Sequence, residues 1–350
     1  MEYRRLQKVG YSTLIVSLPN EWLRDAGLRK GDQVVMMPEP DGSLKLMPRS
    51  LAKPEIVPSP FTINSDLFDE LDLFESFIVW NYVLGRDTIE ITSAKEIRRD
   101  YIQRVKELVE RFIGLNIMEE TSNKIVLKCF IEPKNFPIDI LIRRFFTIVL
   151  SIYKEAIDGI TELEPDFLDR IANLKDEAEK IYWLIIRLIL LSQSSKTISE
   201  KIGIKDSYEI LDYRLLVENL EAVASQFKGI AEDVIRLNNE KERIGKQVLE
   251  AIYNADKLAY SIFSKALDCF YTGDMKLAND ALKIMKDVEV QEELTEELLM
   301  SLNVKSLAYI KRILWAIRRM AEYSADIAKI SMRRALVKLD SYMNIKQVIS

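Results

Sequence analysis

The chain has 350 residues, enough for two or three domains, and its 48% apolar and 30% charged content is the balance of a soluble globular protein. A formal net charge of −5 excludes a nucleic-acid coat but leaves room for a local basic site. The absence of histidine removes the usual general base near neutral pH and the commonest nitrogen ligand for metals.

The opening MEYRRLQK has no apolar signal region. Residues 13–18, TLIVSL, are a β-branched run ended by Pro19, so they read as a strand. Asn20 is placed to cap a short helix, EWLRDAG, which Gly27 stops. A turn at Gly31 and Asp32, the strand VVMM, a turn in EPDGS and the strand LKLM follow. Pro48, Pro54, Pro58 and Pro60 fall within residues 48–60 and mark a proline-stiffened linker, bounded at 51–65.

Residues 66–136 read as a small α/β unit. DLFDELDLFESFIVWNYVLG is helical and DTIEIT alternates like a strand. Ile97, Tyr101, Val105, Leu108 and Phe112 recur at spacings of three and four, which predicts one apolar helix face. NIMEE and SNKIVLKCFI predict a hairpin turning near 121–123. Cys129 and Cys269 sit in apolar runs without CxxC spacing, so both read as buried free thiols.

From Pro137 onward six helices are predicted, over 138–160, 166–194, 206–238, 241–271, 274–301 and 304–337. Pro165 precedes the second, Asp206 and Ser207 can cap the third, and TGD separates the fourth from the fifth. IYWLIIRLILL, residues 181–191, is too short for a bilayer and is interrupted by Arg187, so it reads as a buried helix. Trp183 and Trp315 read as core residues at corresponding places in apolar helices. An internal repeat divides the helices. Residues 219–234 align without gaps on 316–331, and 153–158 align on 263–268. The polar stretch SQSSKTISEKIGI, 192–204, absorbs the difference in offset. The expected fold is α+β, mostly α, ending in two three-helix bundles over 137–240 and 241–340.

The pattern IVSLP, NEWLRDAGL, RKGDQVVM and PDGSLKLMP over residues 1–50 resembles the swapped-hairpin DNA-binding domain of the AbrB/MazE/SpoVT type. That resemblance implies a β-barrel whose core exists only in a homodimer, and a two-fold reader of DNA. Residues 1–50 hold eight basic against six acidic side chains. The resemblance singles out Arg4, Arg5 and Lys8, clustered on the first strand, for phosphates and base edges, with Ser12 and Thr13 as hydroxyl donors. Arg24, Arg29 and Lys30 follow as second choices. A bare dimerisation module is the competing reading. The family's antitoxins carry a short tail, whereas an ordered-looking body of some 300 residues follows here.

The final helix of each repeat, LEAVASQFKGIAE (220–232) and IRRMAEYSADIAK (317–329), resembles the PhoU motif LERIGDHAxNIAE. This order of modules is similar to prokaryotic phosphate-uptake regulators. The PhoU motif places carboxylates four residues apart, on one helix face, where they suit a divalent or iron cation. Both copies depart from it. Copy one keeps Glu221, with Ser225 and Gly229 at the next two positions. Copy two has Arg318, Glu322 and Asp326. Glu322 and Asp326 are the metal candidates, with Glu221 behind them. The opposing reading is an Arg318–Glu322 ion pair.

No catalytic constellation emerges. IGKQ, 244–247, lacks the glycine and the Ser or Thr of a P-loop. The sequence therefore leads to a cytoplasmic, non-enzymatic, phosphate-responsive transcriptional regulator, homodimeric through its N-terminus and bound to DNA. The alternative is a PhoU-type adaptor docking on phosphate transporter subunits or a sensor kinase without entering the membrane. A metal-scavenging bundle is the third reading.

Overall fold

The computed structural model describes residues 3–38, 43–49, 60–161, 167–239, 245–300 and 304–337. The chain divides into two units at Ser59 and Pro60. In the first, β1 (Gln7–Val9) pairs antiparallel with β2 (Thr13–Ile15), with Lys8 opposite Leu14. The strand ending at Pro19 is thus only three residues long. Pro19 itself occupies the cap of α1 (Asn20–Asp25); Asn20 is already helical, so its side chain makes no capping bond. Gly27, at φ 66°, turns the chain out of α1. The Arg29 amide donates to Asp32 Oδ2 at 2.6 Å and the Asp32 amide returns to the Arg29 carbonyl at 3.0 Å, closing the turn at Gly31. β3 (Val34–Pro38) and β4 (Leu44–Pro48) form a second antiparallel pair. The EPDGS turn falls mostly outside the described residues.

These two hairpins do not close into a barrel within one chain. Among the described residues of the unit, Pro48 alone is buried. Leu6 is 67% exposed and Leu14 61%, and Val9, Ile15 and Val16 are exposed beside them.

The second unit opens with β5 (Phe61–Asn64), α2 (Leu71–Val83), β6 (Thr88–Thr92), α3 (Arg99–Arg111), β7 (Leu115–Glu120) and β8 (Lys124–Cys129). The sheet order is β5-β6-β8-β7, with β5 parallel to β6 and the other pairs antiparallel. Residues 61–64, expected in the linker, are therefore a strand: Ile63 enters the core beside Ile91. Pro54 and Pro58 lie outside the described residues. The predicted apolar face of α3 is buried from Ile97 to Phe112, and Phe74 of α2 stacks on Tyr101 at 4.3 Å.

Helices α4 (Ile138–Thr161), α5 (Phe167–Ser194) and α7 (Ser207–Asn239) form one bundle. Helices α8 (Lys246–Thr272), α9 (Met275–Leu299) and α10 (Val304–Val337) form a second, with α10 packed along α7. Capping sets these boundaries. Asp206 Oδ1 accepts the Glu209 amide at 2.9 Å, and Asp274 Oδ1 accepts the Lys276 amide at 2.9 Å after Gly273. Pro165 lies outside the described residues. The polar insertion of the first copy is itself helical, as α6 (Lys196–Ile202), capped by Ser195 and stopped by Gly203 at φ 86°.

The α/β layer belongs to the same unit as the bundles and packs on α5. Trp80 and Phe112 meet Trp183 edge-on at 6.4 and 6.1 Å. Buried Arg187 donates to the carbonyls of Tyr82 and Arg86 and pairs with Asp87 at 3.0 Å. Trp315 departs from expectation: it lies on α10, the third helix of its bundle rather than the second, and is 56% exposed. Both cysteines are buried and unpaired.

Candidate nucleic-acid interface and bundle carboxylates

In the first unit Lys8 lies on β1, Ser12 in its turn and Thr13 at the start of β2. Arg4 and Arg5 precede β1 rather than lie on it. Arg24 is in the last turn of α1, and Arg29 and Lys30 shape the turn before β3. All eight are exposed. Arg4 Nη1 donates to Ser17 Oγ at 3.4 Å, which holds this arginine against the hairpin. The β1–β2 hairpin thus carries exposed apolar side chains, with the exposed cations Arg4 and Arg5 just before it and Lys8 on it. Such cations supply the salt-sensitive part of nucleic-acid affinity.

The metal candidates do not converge. Glu322 accepts from Arg318 Nε at 3.1 Å and from Arg319 Nη1, and Arg318 also reaches Glu292. Asp326 pairs with Lys329 at 2.9 Å. Glu221 pairs with Lys175 at 2.5 Å and accepts from Ser225 Oγ at 2.8 Å. Among the described residues, no group of three or more Asp, Glu, Cys or His side chains is placed to hold a metal ion. These residues do not fit the divalent or iron cation expected of them. Arginine at position 318 puts a guanidinium one helical turn from Glu322, where it neutralises that carboxylate from within.

The seam between the bundles carries charge that sequence reasoning missed. Asp233 of α7 accepts from Arg312 of α10 through Nε at 2.7 Å and Nη2 at 2.5 Å, and also pairs with Arg236. Arg333 pairs with Asp212, and Arg334 lies over the rings of Tyr213 and Phe270. Buried Asp256 of α8 accepts a hydrogen bond from Tyr153 of α4, whose ring stacks with Tyr260. Burial pushes the Asp256 carboxyl up to about 6, against the pull of the Tyr153 hydroxyl, with Asp158 raising it further. One signal was available: Val248, Ile252, Asp256, Ala259 and Phe263 follow a core spacing, and Asp256 is the polar member.

A cation-bearing pair of hairpins that buries Pro48 alone among its described residues, followed in the chain by an α/β layer and tandem helical bundles, defines a two-part class: a small head and a large helical body. Family models identify both parts. The model described as Antidote-toxin recognition MazE, bacterial antitoxin, matches residues 7–53. The PhoU domain model matches residues 142–234, from α4 through most of α7. The chain thus joins a MazE/AbrB-type domain to a PhoU domain, and α8–α10 repeat the bundle beyond the matched span. No curated protein was found to match the chain. Among the described residues no helix is long and apolar enough to cross a membrane.

Proposed function

We propose that the protein is a dimeric, cytoplasmic, phosphate-responsive transcriptional regulator that acts by binding rather than by catalysis. The observation that carries this reading is the first unit: its hairpins expose Leu6, Val9, Leu14, Ile15 and Val16 beside Arg4, Arg5 and Lys8, with Pro48 alone buried among its described residues. Two copies interleaving their hairpins would bury that apolar surface and set two basic faces at the spacing of a two-fold site. The PhoU domain supports a link to phosphate status. A signal received by the bundles would bias how the two heads are presented, a shift of population.

The test is binding of the purified full chain to DNA from its own promoter region. Affinity should fall steeply with salt. Arg4→Ala/Arg5→Ala should weaken binding and flatten the salt slope by about 1 for each phosphate that is no longer neutralised. Binding that ignores salt and both arginines overturns DNA reading, and co-purification with a transporter ATPase would then favour the adaptor role.

A further inference from the structure

A cavity of about 330 Å³ opens between α9 and α10, with Ala255 of α8 at its base. Its interior is apolar: Val288, Leu299 and Ile317 are buried in it. Trp315 stands half-exposed at its wall and makes no ring contact with another aromatic side chain among the described residues. At the aligned place in the first bundle, side-chain bonds cross the seam between α5 and α7. There Tyr182 donates to Glu218, the counterpart of Trp315, at 2.8 Å. Lys175 likewise meets Glu221, the counterpart of Arg318. The two copies have diverged at this position: Glu218 is bonded across the α5–α7 seam, whereas Trp315 stands at the wall of the α9–α10 cavity.

Charge on the lining narrows what the cavity takes. Arg318 and Glu292 neutralise each other, and Arg312 is held by Asp233. Two lining charges remain without an ionic partner among the described residues: Lys311 on α10 and Glu296 on α9. One is positive and one negative. An anion alone would leave Glu296 opposing it, and a cation alone would leave Lys311. A molecule with one charge of each sign on an apolar body satisfies both and places its body on the apolar floor, in a volume within the range of small-molecule sites.

We propose that this cavity binds a small zwitterion with an apolar body, of the class of the apolar α-amino acids, its carboxylate on Lys311 and its ammonium on Glu296. The site is independent of the DNA-reading proposal and is tested without DNA. Titration of the full chain with L-phenylalanine and L-leucine, followed by calorimetry, should show one molecule bound per chain. Trp315 emission should change in parallel, and Trp315→Phe should remove that optical signal. 3-Phenylpropionate, lacking the ammonium, and 2-phenylethylamine, lacking the carboxylate, should each bind about fivefold more weakly, the measure of one exposed ion pair. Lys311→Met and Glu296→Gln, both exposed and safe for folding, should each cost L-phenylalanine a similar factor. Leu314→Trp, which fills the cavity from a partly buried position, should abolish binding while circular dichroism stays unchanged. Failure of both amino acids to bind at millimolar concentration overturns the proposal. So does equal binding of 3-phenylpropionate or 2-phenylethylamine, or binding that survives in a folded Leu314→Trp protein.

Discussion

Asp256 carries a carboxylate at a core position of α8, and its protonation ties stability to pH. The unfolded chain releases this proton near pH 4, whereas the folded protein holds it to about pH 6. Between those values the folded state binds more protons than the unfolded one, so stability falls as pH rises through the window and stays lowered above it. Asp256→Asn keeps an acceptor for Tyr153 and removes the buried charge. It should raise stability at pH 7.5 by up to about 3 kcal/mol and shrink the gap between chemical melts at pH 4.5 and 7.5. Arg187 poses the opposite case, a buried cation whose two terminal nitrogens are bonded while its Nε has no partner among the described residues. Its guanidinium donates to the carbonyls of Tyr82 and Arg86 and pairs with Asp87, so Arg187→Met should cost about 3 kcal/mol in the same melts by removing all three interactions at once.

At the scale of elements, the junction of α2 with α5 depends on Gly85. Its φ of 86° is a left-handed value, and an added Cβ would stand 2.3 Å from Leu191 Cδ2. Gly85→Ala should destabilise the protein by about 2 kcal/mol or more, and adding Leu191→Ala should recover part of that loss, a non-additivity a double-mutant cycle would measure. Most elements were legible because their apolar residues keep a strict period, as along α3 and the six long helices. The exceptions have local causes. β5 was hidden among prolines because a four-residue strand leaves room for little alternation, and its pairing with β6 is decided by Ile63 reaching a core assembled from later residues. α6 was hidden by its serines, one of which caps it. Trp315 read as core because its helix is apolar, yet the open α9–α10 groove leaves it half in water. The metal motif was legible as degenerate and the Arg318–Glu322 pair was legible from its i,i+4 spacing, but the engagement of Glu322 by Arg319, and of Arg318 by Glu292 on another helix, required the fold.

For the molecule as a whole, the head and the body have unequal claims to independence. The body has a continuous core from Ile63 to Ile330, whereas the head buries only Pro48 among its described residues. Leu14→Glu, placing charge on the surface the proposed dimer buries, should shift the mass measured by light scattering from two chains to one, with the helical signal of the body retained. A Leu14→Glu protein that keeps a two-chain mass would remove the interleaved head as the dimer contact. The cations of the head lie within a few residues of that apolar surface, so the same variant should lose affinity for DNA without touching a phosphate-contacting side chain.

That the head buries so little among its described residues has a consequence for the living cell. Under the proposed dimer, a newly made chain carries a finished body and an unfinished head, and the head is completed by encounter with a second chain. The amount of competent reader then grows with the square of the amount of chain while the protein is scarce. If the dimer also reads DNA as proposed, a modest rise in synthesis becomes a larger rise in operator occupancy, so how much of the chain the cell makes is itself an input to the decision it takes.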